Sequence, residues 1–276
     1  MIVQHNMTAL NANRQLGITN TNLARSTEKL SSGYRVNRAA DDAAGLSISE
    51  KMRGQIRGLE QASTNAEDGQ SLIQTAEGAL SEIHSVLQRM RELTVQASND
   101  TNVSADRKAI AKEVRALTSE INRIATQTQF NTMRLLSGGF KNKKLQVGAN
   151  TNQTISIEIS SMTAGKLGVS ATVIAKVISS STGKEITKLI TTVNTAIKKV
   201  STQRSALGAL QNRLDHTIAN ADNMAENLQS SESKIRDVDM ADEMVSYSAS
   251  SILQQAGQSM LAQANQATQG VLSLLQ

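Results

Sequence analysis

His5, His84 and His216 are the only imidazoles in the chain. They stand far apart, and none sits in a metal-binding pair such as H-E-x-x-H. There is no cysteine, which excludes disulfides and thiolate zinc sites. The adjacent acids Asp41 and Asp42, in "RAADDAAG" at 38–45, could suggest a metal site. At the head of a long helix, however, two carboxylates serve capping and the helix dipole better than ligation. No nucleophile, base or metal set emerges, so the sequence reads as a non-enzyme without catalytic residues, metal or cofactor. What remains is the chemistry of surfaces.

The oddest surface lies at the end of the chain. After Glu243 no Asp, Glu, Lys or Arg occurs through Gln276, although a soluble helix ordinarily carries charge on its wet face. Leu261, Ala264, Ala267, Val271 and Leu274 fall at helical spacing, with Leu253 and Met260 upstream. The beginning is similar: from Met1 to Ala24 the only charged side chain is Arg14, among Val3, Met7, Leu10, Leu16 and Leu23. Two uncharged amphipathic ends are expected to pair as one stem, yet two helices cannot cover each other all round. The uncovered faces call for other molecules.

Composition narrows which molecules. Against 24 acids stand 29 Lys and Arg, a net charge of +5, and the densest basic cluster, "KNKK" at 141–144, is short. The only aromatics are Tyr34, Phe130, Phe140 and Tyr247, so bases would find little to stack on. This argues against a nucleic-acid partner. No run of 18 apolar residues exists, which argues against membrane insertion. "MIVQHNMTAL" has neither the basic nor the apolar region of a secretory signal, so export is expected to proceed without a cleaved one.

The elements that must hold these ends apart and in place are helical. With no proline in 276 residues, nothing obliges a helix to stop early. From Ile186, alternate steps of four and three reach Ile235, and twelve of the fifteen positions are apolar, which identifies a coiled-coil seam. The exceptions Arg204, Gln211 and Glu232 are candidates for fixing register or switching packing, or they simply snorkel to the edge. A second long helix is expected from about Leu46 to Ala97, and a third, antiparallel to it, opened by a Ser104 cap. Between about 141 and 182 the grammar changes. "TISIEIS" alternates with period two and faces "KLQV" across a turn at Gly148–Gln153, which predicts a β-hairpin. Ser, Thr and Gly dominate 160–183, which predicts a small, loosely ordered sheet region.

The stretches "LSSGYRVNRAADDAAGLSISEKMRGQIRGLEQA" (30–62), "SLIQTAEGALSEIHSVLQRMRELTVQASN" (71–99), "TQFNTMRLLSGG" (128–139), "SESKIRDVDMADEM" (231–244) and "MLAQANQATQGVLSLLQ" resemble bacterial flagellin. The resemblance covers nearly all of 1–140 and 186–276, and the short middle suggests a conserved core without large outer domains. It implies a mainly α fold: a long antiparallel coiled-coil helical rod, 43–236, with a small β region at about 141–182. The terminal segments, 1–42 and 237–276, would pair as helices forming the inner tube of a filament.

The function so implied is a self-assembling structural subunit of the extracellular flagellar filament, the passive propeller of motility. It implies further partners: a flagellar type III export apparatus with its chaperone, and the filament cap and hook-junction proteins. Residue by residue it also matches Arg89, Leu93 and Glu113 to positions through which flagellins meet the vertebrate Toll-like receptor. By spacing, these three lie off the seams and are expected to form one surface patch. Relatives often carry Pro where this chain has Thr268. A hook–filament junction protein shares such termini and is the rival reading; a basic coiled-coil protein binding nucleic acid or membrane surfaces is a more remote one.

Overall fold

The computed structural model describes residues 6–180 and 183–273, with side-chain surroundings described there except at 172, 173, 176, 179, 180, 183–185 and 268–273. Val3 and Leu274, and the side chains of Thr268 and Val271, therefore lie outside the described residues. Among the described residues, seven helices and two antiparallel hairpins follow in order. They are α1 (Met7–Ser32), α2 (Ala43–Ser98), α3 (Ser104–Gln127), β1 (Gln129–Phe130), β2 (Met133–Arg134), β3 (Lys143–Gln146), β4 (Thr154–Ile157), α4 (Ala164–Leu167), α5 (Ala171–Ser180), α6 (Gly183–Arg236) and α7 (Met240–Ser273). The backbone divides into a unit of residues 57–225 and a unit of 1–56 with 226–276. The division falls inside α2 and α6.

In the unit of 57–225, α2 and α6 run antiparallel. Gln70 Nε2 donates to Asp215 Oδ1 at 3.0 Å and Ser63 Oγ to Asp222 Oδ1 at 2.9 Å, one residue number rising as the other falls. The heptad reading of α6 holds strictly at one position of the repeat: Ile186, Val193, Val200, Leu207 and Leu214 are all fully enclosed. Ile190, Ile197 and Ile218, at the alternate position, are half-buried. Leu189 and Ala196 are buried as well, because that end of α6 joins a core shared with α3, α4 and α5 residues. The α2 stripe of Ile73, Ala76, Leu80, Ile83, Leu87 and Met90 lies in the same core. Buried Thr94 and Thr118 donate their hydroxyls to the carbonyls of Met90 and Val114 one turn back, so neither is left unpaired.

Two local expectations differ from the structure, and one element was not anticipated. Ser104 is the first helical residue and not the cap of α3; Val103 holds the N-cap position, with its N–H donating to Asp106 Oδ2 at 3.2 Å. The segment ending α3 forms a two-residue hairpin, β1–β2, with Asn131 and Thr132 at positive φ in its turn. Leu135 and Leu136, which follow it, are fully buried. The described residues of 160–180 are not sheet. Sheet pairing ends with β4, in the register Leu145↔Ile155, and the chain continues as α4 and α5. The β-branched residues of "ATVIAKVISS" favour strand by propensity, but Ile174, Ala175 and Ile178 share one helical face and bury against the core beside α3. Packing overrides propensity here.

In the unit of 1–56 and 226–276, α1 and α7 form an antiparallel pair. Asn6 Nδ2 donates to the Ala264 carbonyl at 3.0 Å, Gln254 Nε2 to Asn20 Oδ1 at 2.8 Å, and Lys29 Nζ meets Glu243 Oε2 at 3.5 Å. Gly33 ends α1 at φ 75°, a left-handed cap that a side chain would strain, its N–H donating to the Lys29 carbonyl.

Candidate assembly surface

The α1–α7 contact is made mostly of small and polar residues in two heptad rows. On α1 the inward row is Ala9, Ala12, Leu16, Thr19, Leu23 and Ser26; on α7 it is Glu243, Tyr247, Ser250, Gln254, Gly257, Leu261 and Ala264. All are half-buried or buried. Gly257 is a point of close approach: a Cβ there would lie 3.3 Å from Leu16 Cδ1, so the absence of a side chain lets Leu16 seat against the α7 backbone.

The large apolar side chains point elsewhere. On α1, Met7 (66% exposed), Leu10 (67%) and Ile18 (50%) occupy the side opposite the inward row. On α7 a second row runs Val245, Ala249, Ile252, Ala256, Met260, Gln263 and Ala267 at steps of four and three, with Leu253 at its edge, all exposed. Gln263 is the single polar member of that row, and it is uncharged. The residues singled out in the sequence thus divide. Leu16, Leu23, Leu261 and Ala264 face within the pair, whereas Met7, Leu10, Leu253, Met260 and Ala267 remain uncovered. Ala267 leaves the inward row it was read in. The second α7 row was legible by its spacing and was missed because the first row had already accounted for a helix.

Where α1 and α7 join their neighbours, the structure reveals a role the sequence did not suggest. Arg236 lies with its guanidinium carbon 4.6 Å from the Tyr34 ring centroid, while Nη1 reaches Glu50 Oε1 at 3.0 Å and Glu232 at 4.0 Å. Its carbonyl accepts the Arg35 N–H at 2.7 Å, and the Val238 N–H donates to the Gly33 carbonyl at 3.1 Å. The connector 33–42 is thereby tied to 235–238. Asp41 and Asp42 serve the backbone of the same connector. Asp42 Oδ1 accepts the Gly45 N–H at 2.9 Å as the cap of α2. Asp41 Oδ2 accepts from Arg38 and Asn37 N–H groups, which hold its carboxyl below the usual range, the Arg38 bond contributing most.

In the other unit, Arg89 bridges α2 and α3: Nη2 and Nε reach Glu113 Oε1 at 3.0 and 3.1 Å, and Nη1 reaches Glu92 Oε2 at 3.0 Å. The bond to Glu113, followed by that to Glu92, raises the guanidinium's affinity for its proton. Leu93 does not join this surface. It is 2% exposed and belongs to the core with Ala97, Ile110 and Val114, because the α3 contact widens the buried stripe of α2 beyond its heptad line. Of the seam polars, Arg204 pairs with Glu77 of α2 at 3.5 Å, its Nε buried without a partner. Gln211 is half-buried, and Glu232 faces Arg236 on its own helix. His84 is half-buried beside Gln88, and His216 is exposed.

Residues 3–141 match the bacterial flagellin N-terminal helical region and 190–275 the bacterial flagellin C-terminal helical region. The chain is 53% identical over 275 residues to a flagellin of Halalkalibacterium halodurans, spanning the whole of both chains. It is 48% identical over 303 residues to a flagellin of Bacillus subtilis, again over both whole lengths. A solved structure of a putative flagellar hook-associated protein from Vibrio parahaemolyticus aligns with 71% of this chain and 100% of its own, at TM-score 0.62 and 12% identity. At that identity the likeness extends to the fold alone.

Proposed function

The chain belongs to the bacterial flagellin family, and from that premise we propose which of its own surfaces build the polymer. It is a structural protein and not an enzyme: a subunit that self-assembles into the flagellar filament. Its full-length relatives are flagellins, and nothing favours the hook-junction reading. Among the described residues no helix is long and apolar enough to cross a membrane.

In our reading, segments 1–42 and 237–276 form the inner tube and 43–236 the wall around it. The uncovered rows of α1 and α7 dock against the same rows of neighbouring copies. The observation that carries this is the exposure of Val245 (69%), Ile252 (65%), Leu253 (60%) and Met260 (59%) on a helix that bears no charge after Glu243. Copies packed around one axis bring each side chain near its own repeats, where like charges in a partly dehydrated shell would repel. Gln, Asn, Ser and Ala avoid that cost. A head-to-tail contact that does not close on itself gives a fibre.

Family membership supports our reading that the chain is exported by the flagellar type III route with its chaperone and meets cap and hook-junction proteins. Receptor engagement through Arg89 and Glu113 is supported by their exposed bridge, with Leu93 beneath it as packing. Arg204, Gln211 and Glu232 remain the candidates for register along the coil.

Because the chain contains no cysteine, Met260→Cys introduces a unique thiol. Maleimide labelling is expected to be fast in monomer and strongly suppressed in sedimented filament, while a Lys51→Cys control on α2 reports general accessibility. Undiminished labelling of the Met260→Cys filament would refute burial of the α7 outer row.

A further inference from the structure

The elements that meet beside the β3–β4 hairpin gather positive charge that the sequence scatters. Lys141 precedes β3, Lys166 lies in α4, and Lys198 and Lys199 are consecutive on α6. Together they line one open cleft of about 740 Å³, within the ~300–1,000 Å³ of ordinary ligand sites. No Asp or Glu lines it. Among the described residues, the ion pairs of this unit lie elsewhere, at Arg89, Arg107, Arg123 and Arg204. One of the four ammonium groups is held in place: Lys199 Nζ donates to the Lys166 carbonyl at 3.2 Å. Four like charges facing one cavity repel one another, and an anion entering it relieves that repulsion.

The rest of the lining says what kind of anion. Ser160 offers a hydroxyl, and Thr195 and Thr202, which donate their protons to the Thr191 and Lys198 carbonyls at 2.8 and 2.9 Å, offer acceptor oxygens to the hydroxyls of a hydroxyl-rich scaffold. There is no aromatic residue in the lining, so bases would gain no stacking. All four cations are lysines, compact point charges that tolerate spaced anionic groups without the planar match an arginine demands. We propose that this cleft binds an oligosaccharide carrying sulfate or phosphate groups.

The test uses the full-length monomer and a fluorescent heparin hexasaccharide, read by anisotropy. A glycerol-phosphate sugar polymer and single-stranded DNA serve as competitors. Lys198→Gln with Lys199→Gln is expected to weaken binding about tenfold through the loss of two charge-assisted contacts. Lys141→Gln with Lys166→Gln, approaching from the other wall, is expected to do the same. Lys108→Gln with Lys112→Gln, on α3 away from the cleft, removes the same charge and should change affinity by less than about twofold. Circular dichroism confirms equal helix content. Stronger competition by the phosphate polymer than by unlabelled heparin identifies a phosphodiester glycan, and the reverse a sulfated one. Equal loss for all three pairs, no loss for the cleft pairs, or DNA outcompeting both glycans would overturn the proposal.

Discussion

Ile252→Asn separates the surface that folds the subunit from the surface that joins subunits. Ile252 is 65% exposed on the outer row of α7, so the monomer has little to lose by its replacement. Fully burying an isoleucine that was exposed is worth about 1.5–3 kcal/mol. With about two thirds of the side chain still available for burial, assembly loses roughly 1–2 kcal/mol for each subunit added. Since about 1.4 kcal/mol is tenfold in an equilibrium constant, the critical concentration for polymerisation should rise about 5- to 30-fold. The assay is sedimentation of polymer after salt-induced assembly across a concentration series, with helix content and thermal melting of the monomer as controls. Leu16→Asn, on the inward row against Gly257, gives the contrast: it should lower the melting temperature of the monomer itself. An unchanged critical concentration for a normally folded Ile252→Asn chain would refute the assignment of the outer row to subunit contacts.

Arg236→Met should loosen the tie between connector 33–42 and segment 235–238. Loss of the Tyr34 stacking and the half-exposed Glu50 pair costs about 1–2 kcal/mol, seen as faster amide exchange at Arg35 and Val36. Asp41→Asn removes a carboxylate whose folded-state pKa is depressed, so its contribution is complete above the usual carboxylate range and disappears as pH falls through the lowered value. The stability gap between wild type and Asp41→Asn, from urea titrations, should therefore be present at neutral pH and close in acid. Arg89→Ala should weaken binding of the monomer to the receptor about tenfold or more if Arg89 is a buried anchor of that contact. Intact filament should bind less well than monomer, and surface plasmon resonance with both forms decides this.

The helices and their pairing are written in local pattern. A coiled-coil seam is periodic along one chain, so the steps from Ile186 to Ile235 located α6, and the absence of proline let α2 and α6 run long. The alternation of Ile155 and Ile157 located the β3–β4 hairpin for the same reason: side-chain period is local information. The uncharged ends were visible in the sequence because charge, too, is read residue by residue. Other features depend on which distant elements meet. Leu93 is core because α3 widens the buried side of α2, which no heptad count on α2 contains. Ile174 and Ile178 are helical because α3 offers them a wall, although their branching favours strand. Arg236 meets Tyr34 and Glu50 across about two hundred residues of chain. Lys141 joins Lys166, Lys198 and Lys199 in one cleft only after the hairpin and α4 fold back on α6. Local pattern sets what each element is; which charges and faces end up side by side is a property of the packed molecule, where long-range contacts outweigh local preference.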